Sequence, residues 1–182
     1  MSIPTLTTDR LLLRPYRDDD ADAVQRLAGA EEVARGTLTI PHPYPDGMAA
    51  HWIATHEELW SGTEALILAM DSPDDGLVGS IGLMFEMDHN RAELGYWVGV
   101  PHWGRGYATE AGRGLLAYGF EHLKLRRVYA QHFAWNVGSG RVLQKLGMRH
   151  EGTLRAHHER FGQQDSHLYG ILASEWTPGT NG

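Results

Sequence analysis

Two glycines between a strand-like and a helix-like segment give the clearest chemical signal in the sequence. Residues 93–100 carry aromatic and β-branched side chains, which predicts a strand. Gly104 and Gly106 follow, and apolar residues then recur at helical spacing over residues 108–123. The first amides of a helix lack internal partners and attract anions, and glycine lets an anion approach the backbone closely. The loop therefore predicts a pyrophosphate site formed by the amides of residues 104–109.

Two common phosphate loops do not match this stretch. The dinucleotide pattern G-x-G-x-x-G would need glycine where Thr109 stands, and the Walker pattern is absent. Residues 103–108, WGRGYA, instead resemble the coenzyme A loop Q/R-x-x-G-x-G/A of the GNAT N-acetyltransferases. Gly106 and Ala108 occupy its two small positions, while Trp103 replaces the usual Gln or Arg.

The resemblance covers roughly residues 7–176. The segments LTTDRLLLRPYRDDDADAV (residues 6–24) and NVGSGRVLQKLGMRHEG (residues 136–152) are similar to the GNAT branch that acetylates N-termini of ribosomal proteins. The family implies a mixed α/β fold with a mostly antiparallel, twisted sheet of about six to seven strands. One parallel pair should splay apart, and about four helices should flank the sheet. We expect a single domain over residues 1–182, with a loose tail at 177–182.

The same resemblance implies an acetyl-CoA-dependent N-acetyltransferase. It would move an acetyl group directly to a primary amine in a ternary complex, and the branch favours a protein N-terminal α-amine. A small-molecule acceptor (a drug, an amino acid or a polyamine) is the first alternative, because a fold does not set a substrate. A non-catalytic acyl-CoA-binding module is the second.

The family motifs predict where the coenzyme would bind. The strand edge would align the pantetheine arm, the loop amides would hold the pyrophosphate, Asn136 would bond the arm, and arginines would meet the other phosphate. The predicted coenzyme-binding residues are Trp97, Val98, Val100, Gly104, Arg105, Gly106, Tyr107, Ala108, Thr109, Asn136 and Arg141.

Two proton transfers need their own residues. Many family members protonate the leaving thiolate with a Tyr seven residues after the motif Asn, but Leu143 stands there. The ribosomal-protein branch implies Ser139 instead. The base that deprotonates the amine stays open. The branch places a Glu near His158, so His158 or the adjacent Glu159 is one choice, and the strand carboxylates Glu93 and Glu86 are the others.

The segment between the first strand and a helix predicted over residues 47–61 forms an acceptor wall in this family. His42 and Tyr44 are therefore predicted substrate contacts, together with Glu86. Trp52 and Trp60 lie eight residues apart, on one face of that helix, and are assigned to the core.

The composition of the chain argues against some classes of binding surface and of catalytic group. The net charge is −7 with no cysteine, which argues against a broad nucleic-acid surface and excludes a thiol nucleophile. An acidic chain suits a cationic amine.

No apolar run approaches the ~20 residues of a membrane span, and the start lacks signal-peptide features, so we expect a cytoplasmic protein. The histidine spacings do not match a metal site. A homodimer is possible.

Overall fold

The computed structural model describes residues 2–177, whose eight strands form one sheet. The strands are β1 (Leu6–Thr7), β2 (Leu12–Arg14), β3 (Ala65–Ser72), β4 (Gly76–Glu86), β5 (Arg91–Val98), β6 (Arg127–Phe133), β7 (Arg149–Glu159) and β8 (Gln163–Leu172). Their order is β1-β2-β3-β4-β5-β6-β8-β7, antiparallel except for the pair β5 and β6. The predicted mostly antiparallel sheet is confirmed, and β1, a short strand beside β2, is the one that the prediction did not include.

The parallel pair opens into a wedge. β5 and β6 keep only three paired positions, the last of which joins Glu93 to Tyr129. Beyond that point β5 stays paired with β4 as far as Val98, and β6 stays paired with β8 as far as Phe133. Each strand therefore keeps its outer neighbour and loses its inner one, so the two facing edges have no strand partner along the gap.

Both sheet faces are covered by helices. These are α1 (Ala21–Ala28), α2 (Glu31–Arg35), α3 (Met48–Ala54), α4 (His56–Ser61), α5 (Tyr107–Glu121) and α6 (Val137–Lys145). One apolar cluster packs Leu115 and Leu116 of α5 against the central strands, and a second joins α1 and α3 to Trp97 of β5. Because neighbouring strand residues face opposite sides, the alternating residues of β5 serve both clusters.

Two predicted elements have different bounds in the structure. The helix over residues 47–61 divides at Thr55, whose hydroxyl donates to the Trp52 carbonyl at 2.7 Å and competes with the helical pattern. Trp52 packs on the α1–α3 cluster and Trp60 on the larger one. The strand predicted over residues 93–100 spans Arg91–Val98 instead. It ends at Val98 because residues 100–102 form a 3-10 turn that contains Pro101.

Part of the predicted tail, residues 178–182, lies outside the described residues. Among residues 2–177, no helix is long and apolar enough to cross a membrane.

Candidate active site

The glycine loop leads directly into the longest helix. Gly104 and Gly106 have φ angles of +75° and +85°, which non-glycine residues rarely adopt, and Gly106 is the N-cap of α5. A Cβ on Gly104 would meet nothing within 4 Å, and one on Gly106 would meet only the Arg10 side chain. The first helical bond runs from the Glu110 amide to Gly106, so the preceding amides have no partner within the helix. Open space beside these amides suits a diphosphate.

The side chains of the loop are engaged with Asp75 in the β3–β4 turn. The Arg105 guanidinium and the Tyr107 hydroxyl each lie 2.8 Å from the same Asp75 oxygen. The Tyr107 hydrogen bond, with help from Arg105, lowers the pKa of Asp75. The charge of Arg105 is thus paired within the protein. Tyr107 and Thr109 are buried, so their predicted contacts depend on backbone amides.

Arg10 supports the loop from the β1–β2 turn, a role that the sequence did not reveal. It donates to the Arg105 carbonyl at 3.1 Å and pairs with Glu110 of α5 at 2.7 Å. The contacts join residues about 100 positions apart, so no local pattern could have indicated them.

The edge of β5 is partly occupied by Trp103. Its indole N–H donates to the Val98 carbonyl at 2.6 Å, and the ring is 51% exposed. Trp97 belongs to the same strand edge, with its side chain in the α1–α3 cluster. Val100 lies past the end of the strand, in the 3-10 turn.

A cavity of about 530 Å³, which we call the wedge cavity, runs into the gap between β5 and β6. Glu93 and Gln131 line it from one face of the sheet, and Tyr96 and His132 line it from the other. Since alternate residues of a strand face opposite sides, the cavity passes through the sheet. Two substrates entering from opposite faces would meet inside it.

Ser139 and Tyr96 form a hydroxyl pair in this cavity. Asn136 caps α6 by accepting a hydrogen bond from the Ser139 amide at 3.1 Å. The Ser139 Oγ lies 2.6 Å from the Tyr96 hydroxyl, and burial raises the pKa of Tyr96 to about 12. Tyr96 therefore stays protonated at neutral pH. No sequence pattern indicated a role for Tyr96, because the pair joins two elements 43 residues apart.

Glu93 lies at the apex of the wedge, where β5 and β6 last pair. Gln131 donates to its carboxylate at 3.2 Å, and burial raises the pKa of Glu93. Glu86 is placed differently, since Arg91 at 2.7 Å and the Tyr129 hydroxyl at 2.6 Å occupy its carboxylate. Glu86 is not one of the described residues that line the wedge cavity.

The other predicted residues are divided between the cavity and the surface. His158 lines the wedge cavity, and burial, with His157 beside it, lowers the pKa of His158. Tyr44 also lines it, whereas His42 is exposed and bonds the Gly29 carbonyl at 3.1 Å. Arg141 is exposed on α6. Within residues 2–177 no three potential metal ligands cluster, and the metal expectation remains a prediction.

Arg160, at the end of β7, holds the loop that covers the wedge cavity. Its guanidinium donates to the carbonyls of Leu38 at 2.8 Å and Ala34 at 3.1 Å, and also to that of Ile40. Residues 36–41 of this loop line the cavity. Long-range contacts from a single arginine thus position one wall.

A second cavity of about 540 Å³, the aromatic cavity, adjoins the first. Trp103, Phe133, Trp135 and Phe161 line it together with charged residues of α2. Phe133 lines both cavities, so the two spaces are neighbours at that ring.

Comparison with known proteins agrees with this geometry. Residues 10–149 match the family model of the acetyltransferase (GNAT) domain. The uncharacterized N-acetyltransferase YoaA of Bacillus subtilis is 33% identical over 172 residues, which cover 93% of this chain and 97% of that protein. The ribosomal protein uS5-alanine N-acetyltransferase of Escherichia coli is 28% identical over 184 residues, with coverage of 96% and 93%.

A solved structure of another protein has the same fold. Mycobacterium smegmatis RimJ, in complex with CoA-disulfide, superposes with a TM-score of 0.85 at 26% identity, covering 95% of this chain and 89% of that one. A glycine-flanked helix N-terminus, a splayed parallel pair and a family match over most of the chain lead to one conclusion. The chain belongs to the GNAT family of acetyltransferases and is an N-acetyltransferase.

Proposed function

We propose that this N-acetyltransferase uses acetyl-CoA to acetylate the α-amine of a protein N-terminus, by direct transfer in a ternary complex. The observation that carries the proposal is the wedge cavity, which crosses the sheet between the Ser139–Tyr96 pair and Glu93. The uS5-alanine N-acetyltransferase named above supports a protein acceptor.

The coenzyme would be held by backbone groups. The amides that begin α5 would bind the pyrophosphate, and the free edge of β5 at Trp97 and Val98 would align the pantetheine arm. When bound, acetyl-CoA supplies an acetyl group activated as a thioester. The Trp103 indole already donates to the Val98 carbonyl, so the ring lies at the strand edge where the arm would pair.

Ser139 and Tyr96 would supply a proton to the leaving sulfur. Tyr96 can donate to the Ser139 Oγ, which leaves the Ser139 proton free to point into the cavity. The position of Ser139 in the first turn of α6 also favours negative charge nearby. A thiolate is therefore stabilised by the helix end and by one hydroxyl.

Glu93 is the residue best placed to accept the proton of the amine. Its burial raises the pKa, and a base is most effective when its pKa approaches the working pH. An α-amine, with a pKa near ~7.7, is partly neutral at physiological pH, whereas a lysine amine near ~10.4 is almost fully charged. A carboxylate base therefore suits an α-amine better than a lysine. His158 is the second candidate within the same cavity.

The neighbouring aromatic cavity supports a polypeptide acceptor over a small molecule. A protein N-terminus needs an exit for the residues that follow the amine. The aromatic cavity meets the wedge cavity at Phe133 and provides about 540 Å³ of further space. A small amine would have no use for this second space.

The acceptor is tested with two peptides of the same sequence. One has a free N-terminal alanine and no lysine, and the other is blocked at the N-terminus and contains one lysine. Thiol release and mass spectrometry should show acetylation of the first alone. Acetylation of the lysine, or of small amines only, would contradict the proposal.

The role of Ser139 is tested with Ser139→Ala. Loss of a donor aligned with developing charge typically costs roughly 100- to 1,000-fold in kcat, and acetyl-CoA affinity should stay the same. Ser80→Ala is the matched control, because Ser80 lines the same cavity but directs its hydroxyl to the Leu68 carbonyl at 3.4 Å. Unchanged turnover in Ser139→Ala would remove Ser139 from the reaction.

A further inference from the structure

The wedge cavity has an unusual charge balance. Among residues 2–177, no lysine or arginine lines it, and Glu93 is the one carboxylate that does. Its other polar groups are neutral hydroxyls and amides such as Thr37, Ser80 and Gln131. An acceptor group that carries negative charge would therefore find no opposite charge there.

The two histidines of the cavity do not change this balance. Burial lowers the pKa of His132 and of His158, so both rings are neutral at physiological pH. His132 also contacts the Phe133 carbonyl through Nδ1 at 2.8 Å. Arg160, which holds the covering loop from the end of β7, donates to backbone carbonyls.

The space beside Glu93 is apolar. Met84 pairs directly opposite Glu93 across β4 and β5, and Gly82 pairs with Gly95 two residues along, on the same face. A Cβ on Gly95 would meet only the end of the Met84 side chain, so little side-chain bulk fills the space above these two strands. Trp52 and Ile67 also line the cavity.

We infer that the acceptor is an amine whose immediate neighbouring groups are uncharged and largely apolar, and that the wedge cavity rejects acceptors with a carboxylate beside the amine. The inference rests on the proposed function for the assignment of this cavity to the acceptor. A buried carboxylate without a positive partner is costly, and here it would also lie near Glu93. The net charge of −7 adds a repulsive field. Free amino acids are thereby excluded. Peptide N-termini with an uncharged first residue and apolar monoamines share the accepted chemistry.

Matched acceptors separate this inference from the proposed function. Phenylalaninamide is compared with free phenylalanine, and a peptide amide that begins with Asn is compared with one that begins with Asp. Binding to the CoA-saturated protein is measured by calorimetry, and turnover is measured in parallel per concentration of neutral amine. Each uncharged member should bind at least roughly 100-fold more tightly than its charged partner.

Equal binding within the pairs, or no binding of the uncharged members at millimolar concentration, would overturn the inference. If phenylalaninamide binds and reacts but the Asn peptide does neither, the inference stands and the protein-acceptor proposal fails. The inference and the protein-acceptor proposal are therefore contradicted by different results.

A single charge on the covering loop gives an independent test. Thr39 is exposed and lines the cavity, so Thr39→Lys can place an ammonium group in it with little effect on folding. This variant should raise the affinity for free phenylalanine at least tenfold relative to Thr39→Gln, the uncharged control. Identical affinities in the two variants would show that charge does not control selection.

Discussion

Lowering the pH should reduce the folding stability of the protein, because one histidine behind the acceptor wall is buried. His56 is 4% exposed, and neither ring nitrogen has a hydrogen-bond partner within the described part of the chain. Its ring packs at 4.4 Å from Trp52 and 5.2 Å from Tyr16, measured between centroids. Burial lowers the pKa of His56 from 6.5 to about 4.

The direction in which stability changes with pH follows from proton binding. Between pH 6.5 and 4 the unfolded chain binds a proton at His56 that the folded chain does not, so stability falls as pH falls. With pKa values of 6.5 unfolded and about 4 folded, the loss is about 2 kcal/mol at pH 5 and about 3 kcal/mol at pH 4. Above pH 6.5 this contribution to stability is complete.

The assay is urea unfolding at pH 7 and pH 5 for the wild type and His56→Phe. Phenylalanine keeps a ring against Trp52 and cannot be protonated, so the variant should lose about 2 kcal/mol less than the wild type between these pH values. His51→Gln, on the exposed side of α3, is the control and should behave as the wild type does. If His56→Phe and the wild type lose the same stability, His56 does not carry the effect.

Three further predictions concern the site. Gly106→Ala should weaken acetyl-CoA binding and cost about 1 kcal/mol of stability, because alanine is strained at a φ of +85°. Gly47→Ala, at +75° and far from the loop in sequence, should cost similar stability without changing coenzyme affinity. Arg160→Met should raise the acceptor KM severalfold with coenzyme affinity unchanged, because the covering loop loses its charged donors; an unchanged KM would contradict this. Glu93 must lose its proton to act as a base, so kcat/KM per concentration of neutral amine should rise with pH above the usual carboxyl range, and Glu93→Gln should abolish that limb. Glu86→Gln should keep it, because Glu86 is not among the described residues that line the wedge cavity.

Local features of the chain were predictable from the sequence. The glycine pair before α5 depends on its own backbone conformation, and the Asn136 cap of α6 depends on a hydrogen bond from Ser139 nearby in the chain. Helical and strand periodicities likewise repeat over short stretches. The mixed α/β sheet with one parallel pair followed from family motifs and is confirmed by the strand order.

The partners of the site residues came only from the tertiary structure. The Ser139–Tyr96 pair, the Gln131 bond to Glu93 and the Asp75 bond to Arg105 join positions 30 to 43 residues apart. Each depends on strand register and on where β5 and β6 cease to pair, and neither property is written in any short segment. The sequence therefore indicated candidate groups for diphosphate binding and proton transfer. The fold decided which of them face the same cavity, because only packing brings distant backbone segments to hydrogen-bonding distance.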